Sequence, residues 1–192
     1  MNILFFSIFL NVIILMFIYF LTQEKKSRLK MLICFGIFIG ISSLSFNFIF
    51  KDCFGASTPI DIKAVNLTNQ NLKIYGIAFF EDYGNENGNY VAYNTELKPN
   101  ETSEFCIDSD GGKFWVVAKN IEDEIVYLEE TENKKTNFKI ISNQDTNFTE
   151  FEIAKELTFK KDKSLELEKY LVWTNIVLII LLLLNCSKRL KV

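Results

Sequence analysis

Residues 3–21 read ILFFSIFLNVIILMFIYFL, an uncharged run broken only by Ser7 and Asn11. Two further runs follow: MLICFGIFIGISSLSFNFIF at 31–50 and YLVWTNIVLIILLLLNC at 170–186. At about 1.5 Å of rise per residue, each is long enough to cross a hydrocarbon layer of roughly 30 Å. Between the second and third lies a polar segment of 119 residues, enough for one hydrophobic core. The pattern predicts a mixed membrane protein. Residues 1–50 form a two-helix transmembrane hairpin with loop 22–30, residues 51–169 an extracytoplasmic domain, and residues 170–192 a third transmembrane helix and tail.

The formal charge of -3 hides a strong segregation. The loop after the first run carries Lys25, Lys26, Arg28 and Lys30 against Glu24, and the tail carries Lys188, Arg189 and Lys191. The segment 51–169 has 14 lysines, no arginine and 23 acidic residues, a balance of −9. Short basic loops stay in the cytoplasm, because membrane potential and anionic lipid oppose their export. One topology satisfies both loops: N-terminus outside, loop 22–30 cytoplasmic, the acidic domain outside, C-terminus cytoplasmic. A signal peptide would carry its basic residues ahead of the apolar run and a small-residue cleavage site behind it. Here the basic residues follow, which predicts a reverse anchor. The abundance of Asn, Lys, Ile and Phe is the bias of an AT-rich genome and points to a bacterial inner membrane.

Within the membrane segments, Tyr170 and Trp173 are expected at the outer interface of the third helix and Lys188 and Arg189 at its inner one. The aliphatic stretch between them reads as a lipid-facing anchor. Gly36 and Gly40 form a G-x-x-x-G spacing that lets a second backbone come close, and Ser43 extends the same face. Asn11 lies near mid-membrane, where a lone amide is costly unless it bonds a neighbouring helix. Its expected partner is Ser43 or backbone of the second helix; a helix of another protein is the alternative. None of the runs holds Asp, Glu, Lys or Arg, which argues against a channel or transporter acting alone.

The outside segment reads as β. Ile60, Ile62 and Ala64 alternate with Asp61 and Lys63; Phe105 and Ile107 alternate with Glu104, Cys106 and Asp108. Further strands are expected at 72–80, 90–93, 113–118, 124–128, 138–141 and 151–153, separated by Asn- and Gly-rich turns. Seven or eight short strands predict an all-β, antiparallel β-sandwich, immunoglobulin-like in general shape, with Trp115 in its core. Residues 162–169 favour helix and are expected to extend the third membrane helix as a stalk. Cys53 and Cys106 are the two cysteines of this segment, and an oxidising exterior predicts one disulfide between them.

The chain has no histidine. That removes imidazole bases, Ser-His and Cys-His nucleophiles, and nearly all zinc sites. No phosphate-cradling glycine loop appears, and an acidic domain without arginine has no nucleic-acid footprint. Asp108-Ser109-Asp110-Gly111 and Asn85-Glu86-Asn87-Gly88 each echo half of a calcium loop but lack its later bidentate Glu, so turns explain them. Sequons occur at Asn66, Asn100 and Asn147. With no catalytic residue, cofactor or metal predicted, the expected function is non-enzymatic. The β-domain is presented outside the membrane for interaction with a protein partner, as an accessory subunit of an envelope complex or a protective, immunity-type protein. The lipid bilayer is the other partner, and a homo-oligomer is compatible with the glycine face. The alternative is a sensor or carrier that binds a ligand or cation through the acidic loops.

Overall fold

The computed structural model describes residues 2–20, 26–49, 60–80, 89–107, 113–132, 136–141 and 148–190. The chain divides into two compact units, residues 1–51 with 163–192 and residues 52–162.

The helical unit contains α1 (Asn2–Phe20), α2 (Lys26–Ile49) and the C-terminal part of α3 (Phe148–Leu190). Each helix holds a stretch long and apolar enough to cross a membrane. Their buried positions follow one rule. On α1 these are Leu4, Ser7, Asn11, Ile14 and Ile18; on α2, Leu29, Ile33, Gly36, Gly40 and Ser43; on α3, Leu171, Asn175, Leu178 and Leu182. The alternating steps of three and four give a mean of 3.5 residues, the spacing at which helices keep one seam against their neighbours. Ile14, Ile18, Leu29, Ile33 and Leu182 close the seam at one end.

The β-rich unit has seven strands among the described residues: β1 (Ile60–Asn66), β2 (Leu72–Phe80), β3 (Asn89–Leu97), β4 (Thr102–Ile107), β5 (Lys113–Lys119), β6 (Ile125–Glu132) and β7 (Asn137–Ile140). They form a three-stranded sheet, β4-β1-β7, and a four-stranded sheet, β3-β2-β5-β6. All ladders are antiparallel except β1–β7, which is parallel, with Lys63 opposite Asn137 and Asn66 opposite Ile140. The strand order differs from the ABED and CFG sheets of immunoglobulin domains.

Alternation places Ile62, Ala64, Ile107, Phe138 and Ile140 of the small sheet in one buried cluster with Leu72, Ile74, Ala78, Phe114, Val116 and Ala118 of the large one. Phe114 and Phe138 meet edge to face at 6.0 Å across it. Each large side chain buried here stabilises by about 1.5–3 kcal/mol. Gly76 is what lets β4 lie close: a Cβ there would strike Ile107 and come within 2.7 Å of the Phe105 ring.

The opposite face of the large sheet carries Tyr75, Ile77, Trp115, Val117, Ile125 and Leu128. These pack against Phe151, Ala154 and Leu157 of α3. A β-bulge beside Ala118 and Lys119 skips Val126 and brings Ile125 onto the same face as Leu128. The unit is therefore not all-β. Residues 151–153, expected as a strand, lie in helix, and α3 begins at Phe148 instead of as a stalk at Asp162. Three residues of period-two pattern do not distinguish strand from helix. The spacing of Phe151, Ala154 and Leu157 does, because it sets three small-to-large apolar side chains on one helix face. Trp115 is buried under this helix and donates its indole N–H to Glu130 Oε2 at 3.0 Å.

Candidate functional site

The helical unit has a polar interior. Ser7, Asn11, Ser43 and Asn175 are all at most 3% exposed. Ser7 Oγ donates to Asn175 Oδ1 at 3.1 Å. Asn175 Nδ2 donates to Ser43 Oγ at 2.8 Å and to the Gly40 carbonyl at 3.2 Å, and Ser43 Oγ donates to that carbonyl at 2.9 Å. One residue from α3 thus joins α1 and α2. Nearer the end of the unit, Asn47 Nδ2 donates to Glu168 Oε1 at 2.7 Å.

Gly36 and Gly40 make this convergence possible. A Cβ at Gly40 would lie 2.6 Å from Ile179 Cγ1, and one at Gly36 2.8 Å from Asn11 Oδ1 and 3.0 Å from Leu182 Cδ1. Both α1 and α3 therefore rest on the glycine face of α2. Asn11 is fully enclosed, and neither its amide nitrogen nor its oxygen has a hydrogen-bond partner. Its expected partner Ser43 is taken by Asn175.

Asn175 is the residue that the sequence reading passed over. It sits at the edge of the aliphatic stretch read as a lipid-facing anchor, yet Asn175, Leu178, Ile179 and Leu182 are buried. The signal was present: a lone amide in an apolar run, the same argument that singles out Asn11. Tyr170 and Trp173 are exposed, at 64% and 66%. Lys188 and Arg189 fall in the last turns of α3, and their side chains lie outside the described residues. Chemically, this core of amides and hydroxyls can align helices. None of Ser7, Asn11, Ser43 and Asn175 carries a group that exchanges a proton at neutral pH.

A second polar cluster lies in the β-rich unit, between the large sheet and α3. Lys119 is 2% exposed. Its Nζ lies 3.3 Å from Asp162 Oδ2, 3.7 Å from Asp123 Oδ1 and 5.7 Å from the centre of the Tyr75 ring. Tyr75 donates its hydroxyl to Asp162 Oδ1 at 2.7 Å. Burial, reinforced by this bond and by the nearby carboxylates, pushes the Tyr75 phenol well above its ordinary value. Burial and a hydrogen bond to Glu129 do the same for Tyr127. Two carboxylates and an aromatic face thus compensate a charge that would be costly to bury alone.

Asn66, the first sequon, is fully buried. Its Nδ2 donates to the Gln70 and Leu97 carbonyls and its Oδ1 accepts from Thr68. Asn100 is exposed with φ 59°, and Asn147 lies outside the described residues. The two half-calcium loops at 85–88 and 108–111 also lie outside them, as does Cys53. Cys106 sits on β4 opposite Asp61; Cys34 and Cys186 are free thiols, and Cys106 is not among the free ones. No protein-family model, curated protein or solved structure matches the chain.

Proposed function

We propose that this chain is a non-enzymatic integral membrane protein of a bacterial inner membrane. In this reading α1, α2 and the 170–186 part of α3 span the bilayer, with the N-terminus outside and loop 22–30 and the C-terminus cytoplasmic. The β-rich unit is an extracytoplasmic sandwich for protein–protein interaction, as an accessory subunit of an envelope complex or a protective, immunity-type protein. The observation that carries the proposal is the inverted polarity of the helical unit. Its amides and hydroxyls are inside, while Phe6, Phe9, Met16, Phe38 and Phe48 are more than half exposed. In water such a surface would aggregate; against lipid it is the low-energy arrangement. The charge asymmetry of the loops supports the orientation. The shared buried cluster of the two sheets supports the sandwich, with the antiparallel ladders predominating.

The test has two parts. Cysteine accessibility in intact cells should show position 152 reactive from outside and position 26 protected until the membrane is opened; the reverse pattern overturns the orientation. Mild-detergent copurification of the tagged full chain should then bring down a stoichiometric protein. A solitary chain at native abundance refutes the accessory-subunit form.

A further inference from the structure

One end of the β-rich unit collects its exposed aliphatic side chains. Leu67 follows β1, Ile121 opens the β5–β6 turn and Ile141 follows β7; they are 45%, 78% and 60% exposed. The pairings place all three at the same end: Lys73 is opposite Lys119, Leu72 opposite Leu97, and Asn66 opposite Ile140. The Leu67 amide donates to the Ile140 carbonyl, which sets Leu67 beside Ile141.

Two of these tips are held out by built turns. Asn120 Oδ1 accepts from the amides of Glu122 and Glu124, and Asp123 takes φ 62°, so Ile121 stands on an ordered turn. Leu67 is presented by the Asn66–Thr68 turn described above. With Ile141 beside Leu67, exposed aliphatic surface is gathered at one end instead of being scattered singly.

The same end is where the chain leaves the unit. Asp162, its last residue, is bound there by Tyr75 and by Lys119, the last residue of β5. The apolar run begins eight residues further along the chain, at Tyr170. We infer that Leu67, Ile121 and Ile141 dip into the headgroup layer of the membrane, so that this end of the β-rich unit is a lipid-contacting face. The inference rests on the membrane reading above. Its chemistry is apolar insertion, not attraction to anionic lipid. The exposed charges at this end are mixed, with Glu96, Glu101, Glu122, Asp123 and Glu124 beside Lys73, Lys98, Lys139 and Lys160, so no single-sign patch is there to draw anionic headgroups. The partner is therefore the lipid interface itself, for which zwitterionic phosphatidylcholine suffices.

The experiment uses the full chain in phosphatidylcholine vesicles, a fraction of whose lipids carry a spin label either near the headgroup or at mid-chain. Cys34 and Cys186 are replaced by alanine, and a solvent-sensitive fluorophore is attached at Ile121→Cys, Glu152→Cys or Val177→Cys in turn. Ile121 and Glu152 are surface positions, so neither change disturbs the core. The expected result is blue-shifted emission at 121, quenched by the headgroup label and insensitive to salt, with none at 152, where α3 starts at the other end. Quenching at 177 by the mid-chain label but none at 121 overturns this inference and leaves the membrane reading standing. Absence of mid-chain quenching at 177 overturns the membrane reading itself. Quenching at 121 and 152 alike also overturns the inference, because the contact would then have no face.

Discussion

Two asparagines, Asn11 and Asn175, occupy the same kind of place and have opposite consequences. Asn175 makes three interhelical hydrogen bonds, whereas Asn11 is enclosed with none. Asn175→Ala is expected to cost about 1 kcal/mol, the scale of hydrogen bonds between membrane helices. Asn11→Ala removes a desolvated amide that nothing compensates, so its cost should be the smaller of the two. Detergent-solubilised protein titrated with a denaturing surfactant would rank them; a larger loss for Asn11→Ala would show that its amide is satisfied after all. Asn11, Gly36 and Gly40 are legible from sequence because polarity and small size stand out in an apolar run. The partner of Ser43 is not legible, because residue spacing reports a helix face but not which neighbour lies on it.

At the scale of elements, the pairing of α3 with the large sheet is fixed by one buried charge. Lys119 and Asp162 hold each other where apolar contacts alone would let the helix slide by a turn. Replacing Lys119 by Met takes the buried ammonium away from Asp162, and Asp162→Asn leaves Lys119 to the more distant, exposed Asp123. Each single change is expected to cost less than the roughly 3–5 kcal/mol of a fully buried pair, since Asp162 is partly exposed, and the two together less than their sum. Trp115, buried under α3, supplies the fluorescence readout in a denaturant titration. Additive losses would mean that the two residues do not act as a pair. The strands were readable because β1 and β4 alternate, β2 and β5 are short apolar runs, and Asn- or Gly-rich segments separate them. The first turns of α3 were not. Glu150, Glu152, Lys155 and Glu156 surround Phe151 and Ala154, and the local pattern is too short to declare its period. The parallel partnership of β1 with β7 leaves no mark in either strand, since alternation is the same whichever way a neighbour runs.

For the whole molecule, pH and redox state are the accessible controls. A Tyr75 phenol raised by folding stabilises fully below the unfolded value of 10.0 and loses that contribution as pH climbs above it. The same sign holds for Tyr127. Ultraviolet titration, with Tyr75→Phe and Tyr127→Phe to assign the signals, should therefore show these two phenols ionising only together with unfolding. Their ionisation without loss of structure would contradict their burial. Unfolded, non-reduced protein should titrate two free thiols, Cys34 and Cys186, with Cys53 and Cys106 joined. Reduction is then expected to lower stability by about 4 kcal/mol, the entropy of opening a loop of that length. Four thiols before reduction would remove the disulfide. The three apolar helices were evident from hydropathy alone, because segregation by polarity is written residue by residue. The order of strands across the sheets depends on pairings between residues far apart, and no local pattern encodes it.

The parallel partner of β1 also sets a timetable. β1 is synthesised first of the seven strands, yet it lies between β4 and β7, and β7 is the last to be made. A nascent chain can close the β2–β3 and β5–β6 hairpins early, but its first strand keeps one edge open until residues 137–140 have left the ribosome. Such long-range closure is slow, and an unpaired edge is a place for strands of other chains to add. A chain released before β7 should therefore be the aggregating species of this protein.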